Sequence, residues 1–177
     1  MATAGPTLPG TGANISPGSG AAWTFPERIT SDDTTPASFV NTAAGSQWLC
    51  GSAFGWSITA GSTISNILVE LDGSASSDEN SKCDLYDGTT EIEATTAGLK
   101  GFTGSTAWRT VYNADPPSGF DSAVTGNTDV YRFRVTGTGF GVSWTVDAMR
   151  VTITYTLPSG GPSIKVSRTA AMRAANR

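Results

Sequence analysis

Apolar and polar residues alternate with a period of two along most of the chain between residues 37 and 156. Tyr131, Phe133 and Val135 share one parity, with Arg132 and Arg134 on the other. Met149, Val151, Ile153 and Tyr155 alternate in the same way with Arg150, Thr152 and Thr154. This is the pattern of half-buried β-strands, whose successive side chains point to opposite faces. Eight strands are predicted: Ala37 to Ala43, Gln47 to Ile58, Ile64 to Asp72, Ser81 to Tyr86, Thr90 to Thr95, Ala107 to Tyr112, Val130 to Thr136 and Ala148 to Thr156. Ser143 to Asp147 can begin the last strand early. Asp87-Gly88 suits a tight hairpin because Gly accepts positive φ, and the small residues Thr59 to Ser62 turn the chain near Ala60-Gly61. Strands at this short spacing predict an all-β fold: a single antiparallel two-sheet sandwich of about eight strands, jelly-roll-like.

Parity also predicts the core. Phe54, Trp56 and Ile58 point inward with Ile67, Val69 and Leu71, and Trp48 and Cys50 share the parity of Phe54. Cys83 goes inward with Leu85. Two buried free thiols are the expected state, since buried cysteine acts as a small hydrophobe, with a disulfide as the alternative.

Outside the alternating body the chain divides into an N-terminal arm (1–22), the sandwich (23–157) and a basic C-terminal arm (158–177). Residues 1–22 combine Pro6, Pro9 and Pro17 with five glycines, and cannot bury enough apolar surface to offset the entropy of ordering alone. An arm of this kind orders best against a neighbouring subunit, which predicts an assembly. Beyond Pro162, Ile164 and Val166 could add a short strand to a neighbour's edge, and Ser167 could cap a small helix.

Charge sharpens this division. Residues 1–26 carry no charged side chain, residues 27–157 hold all 15 acids, and Lys165, Arg168, Arg173 and Arg177 make the tail basic. Phosphate is repelled by an acidic body, so nucleic acid is not an expected partner across the sandwich, although the tail alone could seek an acidic one. Met1 to Pro6 lacks the basic start and apolar run of a secretory signal. No apolar stretch approaches the length of a membrane span, so no membrane association is expected.

The words of residues 54 to 73 carry more than periodicity. Phe54-Gly55-Trp56-Ser57-Ile58-Thr59-Ala60-Gly61-Ser62-Thr63-Ile64, followed by an alternating strand and a small-residue loop, resembles a phrase of tailed-bacteriophage virion proteins with β-sandwich domains. Trp23, Pro26, Asp32-Asp33 and Ala37-Ser38 match the upstream partner of that phrase. Trp56 stands where Phe is usual, and Thr59 where Pro is usual. The resemblance implies a virion structural protein assembled in the host cytoplasm, without choosing between capsid and tail.

The chemistry of the side chains adds little to this. The chain has no histidine, which removes the commonest general base and metal ligand, and no enzyme activity is expected. Asp32 with Asp33, Asp78 with Glu79, and Glu91 with Glu93 are carboxylate pairs of the type a glycosidase uses, roughly 5 to 9 Å apart across a sugar. The first two are sequence neighbours on opposite faces, and the third reads as solvated surface. Asp72, Asp78, Glu79, Asp84 and Asp87 could surround a Ca²⁺, but their spacing fits no calcium-loop motif and reads as a solvated acidic rim. Neither metal nor cofactor is expected.

The function expected from resemblance and arms is a capsid decoration or cement protein. It would bind the major capsid protein and itself as a homo-oligomer, with a trimer favoured. The expected contacts are Pro6, Leu8 and Ile15 in one arm and Ile164, Lys165, Val166, Arg168, Arg173 and Arg177 in the other. Removing 1–22 or 162–177 is then expected to leave a folded body that cannot bind capsids. The alternative is a tail or fibre component touching host glycan through end loops, with Pro116, Pro117 and Phe120 in one loop and Trp108 and Trp144 nearby.

Overall fold

The computed structural model describes residues 1–15, 20–42, 44–86, 101–116, 120–121, 124, 130–136 and 139–159, together with the backbone of 91–99. Among these described residues, ten strands form two antiparallel sheets. They are β1 (Ala2–Thr7), β2 (Thr11–Ile15), β3 (Ala37–Val40), β4 (Trp48–Ser52), β5 (Thr63–Ala75), β6 (Ser81–Tyr86), β7 (Glu91–Leu99), β8 (Ala107–Ala114), β9 (Val130–Val135) and β10 (Ser143–Thr156). The first sheet runs β1-β10-β5-β8 with β3 also on β10, and the second runs β2-β4-β9-β6-β7. Taken from β3 onward, the orders 3-10-5-8 and 4-9-6-7 are those of a jelly roll: the chain changes sheet at every step except the β6–β7 hairpin.

All eight predicted strands are present, and two more precede them. The segment read as an arm contributes β1, paired with β10 from Ala2↔Tyr155 to Thr7↔Val151, and β2, paired with β4 from Thr11↔Ser52 to Ile15↔Trp48. Its hydrogen bonds therefore go to the sandwich itself. Asn14 closes the segment onto the body, its side chain accepting from Trp23 N and donating to Trp23 O. The close approach needs glycine. A Cβ on Gly12 would stand 2.3 Å from the Pro26 carbonyl oxygen, and one on its cross-strand partner Gly51 would stand 2.7 Å from Met149 Sδ.

The core is the one parity predicts over β5, β9 and most of β10: Ile67, Val69, Leu71, Tyr131, Phe133, Met149, Val151 and Ile153 are buried between the sheets. The predicted strand from Gln47 to Ile58 is different. It stops at Ser52, because Ala53 (φ 57°) and Gly55 (φ 71°) take left-handed conformations that no pleated strand continues. Phe54 and Ile58 still reach the core. Trp56, half-buried, stacks on Phe54 at 4.7 Å, and both rings meet Tyr131 edge-on. The turn at Ala60-Gly61 is closed by Ser62 N donating to Thr59 O.

The break also reverses the faces of β4. Leu49 pairs with the inward Phe133, so Trp48 and Cys50 lie on the outer face of the second sheet, where Cys50 pairs with Arg132. Cys83 pairs with Phe133 from the other side and faces the core. The two thiols are thus free, buried and on opposite faces of one sheet. Burial pushes Cys50 up to about 12 and Cys83 further still.

β10 holds the remaining irregularity. Trp144 and Val146 face the core, and so do Met149 and Val151, so the parity shifts by one between them. Val146 pairs with Gly73 and Ala148 with Asp72, leaving Asp147 as the extra residue of a β-bulge. One flank of β10 is covered in turn by β3, by a bridge from Thr30 to Ala148, and by β1.

Candidate functional site

The bulge turns Asp147 away from the core, onto the outer face of the first sheet beside Asp72 of β5. A third carboxylate arrives from the loop between β3 and a short 3-10 turn at Pro26–Ile29. In that loop Asp33 is occupied locally: it accepts from the Ser31 hydroxyl and from the amide and hydroxyl of Thr35, and these bonds hold its carboxyl below the usual range. Thr34, in a left-handed conformation (φ 67°), directs its N–H to Asp147 Oδ2 at 2.9 Å. Asp32 is left facing inward over the sheet. The oxygens of Asp32, Asp72 and Asp147 all lie within 4.8 Å of one another.

These carboxylates line a cleft of about 310 Å³ with Thr34, Pro36 and Thr106. Burial raises the pKa of both Asp72 and Asp147, and the negative charge of Asp32 adds to it in each case. The nearby cations are engaged elsewhere. Arg150 donates to both oxygens of Glu70, at 2.8 and 3.1 Å, beneath the ring of Trp108, and Arg109 reaches the carbonyls of Thr103 and Ser105. A carboxyl of raised pKa beside a second carboxylate is the pairing used in acid catalysis. Asp147, however, is 3% exposed and tied to Thr34 N, and an acid must touch the leaving group it protonates.

The outer face of the second sheet holds a different cluster. Lys82, Arg132 and Arg134 all lie over Trp48, with Nζ or Cζ 4.7 to 4.9 Å from its ring, and Arg132 is also 4.4 Å from Tyr86. Asp84 is fully buried among them, 3.3 Å from Lys82 and 3.7 Å from Arg132. Parity predicts an outward Arg132, but its side chain is only 4% exposed, so its charge serves Asp84 and the rings rather than a phosphate.

The acidic residues read together as a solvated rim are dispersed. Asp72 belongs to the first sheet and Asp84 is buried on the second. Asp78 accepts from Gly101 N, Glu79 accepts from Asn41 Nδ2 and Gly139 N, and Asp87 lies outside the described residues. Among the expected contact residues, Pro6 is exposed while Leu8 and Ile15 are half-buried on strands or links of the sandwich. Pro116 is half-buried. Phe120 is buried, edge-on to Tyr131 at 6.1 Å, and Trp144 is buried against Phe102 and Phe133, which withdraws both rings from a glycan platform and leaves Trp108 partly open. Pro117, Ile164, Lys165, Val166, Arg168, Arg173 and Arg177 lie outside the described residues, as do the side chains of Glu91 and Glu93.

Only the Asp72 member of the three-carboxylate group was singled out for a metal by sequence. The signal that could have found Asp147 is the change of parity between Val146 and Met149, which requires an extra residue and marks a bulge. Among the described residues no helix is long and apolar enough to cross a membrane. Set against known proteins, the chain matches no family model, and no curated protein gives a match.

Proposed function

We propose that this chain is a structural component of a tailed-bacteriophage virion, a decoration or cement protein on the head that oligomerises and binds the major capsid protein. The observation that carries the reading is the role of the phage-like phrase in the body. Phe54, Ile58, Ile67, Val69 and Leu71, the apolar words of residues 54 to 73, are buried in the core of a jelly roll. The phrase is thus read as the specification of a sandwich body, and fold alone leaves function open. The lack of histidine favours a binding or structural role over catalysis.

The pairing of β1 and β2 changes how the arms serve this reading. The N-terminal segment is part of the body and offers sheet edges, so reaching over a neighbour falls to the basic residues 158–177. Main-chain pairing by Ile164 and Val166 with charge contacts from Lys165 and the arginines suits that task, because many weak repeats on a lattice add up to firm attachment. Deleting residues 162–177 is expected to leave the body folded by circular dichroism while abolishing its attachment to empty capsids. Full occupancy by the truncated chain would overturn the reading, and so would labelling of purified particles that finds the protein only on the tail.

A further inference from the structure

Asp147 Oδ1 is shielded from solvent and accepts no hydrogen bond from any described residue, although the residue is 3% exposed. Asp72 Oδ1 is in the same condition. Both belong to the group of three carboxylates whose oxygens lie within 4.8 Å of one another. Buried acceptors of this kind require a partner, and three negative charges brought together by a bulge, a strand and a loop require a positive one. We infer that Asp32, Asp72 and Asp147 form a binding site for a divalent cation of the size of Ca²⁺.

The spacing accommodates Ca²⁺. Oxygens that bind Ca²⁺ at about 2.3 to 2.6 Å can stand up to about 5 Å apart across it, whereas Mg²⁺, at about 2.0 to 2.1 Å, spans only about 4 Å. The exposed Asp32 side of the cleft leaves room for water to complete the shell. Arg150 and Arg109 lie close enough to lower the charge of the site, but neither makes a hydrogen bond to these carboxylates among the described residues. With three carboxylates and an open side, the affinity belongs in the range of extracellular calcium modules, about 10⁻⁴ to 10⁻³ M. A bound cation ties the Ser31–Pro36 loop to both central strands of the first sheet, fastening the entry of the chain into the jelly roll.

Tb³⁺ tests this in the full chain, because Trp108 is the cross-strand partner of Asp72 and half-buried, and so can pass excitation to an ion there. Tryptophan-excited Tb³⁺ emission is expected, displaced by Ca²⁺ at concentrations at least tenfold lower than by Mg²⁺. Asp147→Asn is expected to weaken binding at least tenfold. Asp32→Asn, an exposed loop change that leaves the sheets intact, should do the same and should remove the rise in melting temperature that Ca²⁺ gives the unaltered chain. The site is refuted if emission is absent, if Asp32→Asn binds as tightly as the unaltered chain, or if millimolar Ca²⁺ leaves the unaltered chain's melting temperature unchanged.

Discussion

Arg132 stands on the outward parity of β9 and is nevertheless buried, because the neighbours that cover it come from other strands. Trp48 of β4 and Tyr86 of β6 take its guanidinium against their rings, and Asp84 of β6 supplies the counter-charge. Removing one of the two cations beside a buried carboxylate leaves its charge only partly compensated, since Lys82 stays 3.3 Å from Asp84, a loss of roughly 1.5 to 3 kcal/mol. Arg132→Met is therefore expected to lower unfolding free energy in urea by that amount, whereas Lys82→Met, at a more open position, is expected to lower it by about 1 kcal/mol or less. Equal effects would show that Asp84 relies on both cations alike. Alternation in β9 was legible at this scale, and so was the inward set of β5. The facing of Trp48 and Cys50 was not, since parity carries only along an unbroken strand and Ala53 breaks this one.

At the scale of elements, β1 and β2 are the departure from what composition implies. A stretch of Gly, Pro and small residues has no inward stripe to announce a strand, and it forms two because β10 and β4 offer open edges. Buried Pro9 and the Asn14–Trp23 bonds then hold it in place. Deleting residues 1–15 is expected to destabilise the body by roughly 3 kcal/mol or more, which for a chain of this size lowers the melting temperature by about 6 to 12 °C or more. Scanning calorimetry checks this, and an unchanged transition would return the segment to the status of a separable arm. The bulge in β10 had a trace in the sequence, the slip of parity between Val146 and Met149. What it assembles had none, since Asp32 and Asp147 are far apart along the chain and meet only because Thr34 docks on β10.

For the whole molecule, the carboxylates of the cleft contribute to the dependence of stability on pH. Asp72 and Asp147 have raised pKa values in the folded chain, against an ordinary value of 3.8. Between that value and their folded ones the native state binds more protons than the unfolded state, so this contribution is present at low pH and is lost as pH rises. Asp33, held low by its turn, acts in the opposite sense below 3.8 but is fully exposed. Thermal melts in EDTA should show the unaltered chain losing stability relative to Asp147→Asn as pH rises from about 4 towards neutrality. Ca²⁺ should cancel that loss. A constant difference between the two proteins across this range would show that Asp147 titrates normally.

The sequence by itself determined that the chain is all-β, roughly where its eight body strands lie apart from the end of β4, and which residues of β5, β9 and most of β10 supply the core. Each of these follows from a period of two and from turn residues, which act between neighbours along the chain. Only the tertiary structure decided that the first fifteen residues join both sheets, that Arg132 is buried, that the two cysteines face opposite ways, and that three aspartates share a cleft. Those outcomes depend on which strand edges remain open and on which loops fold over them, and such contacts are made across the chain, between residues that local patterning does not connect.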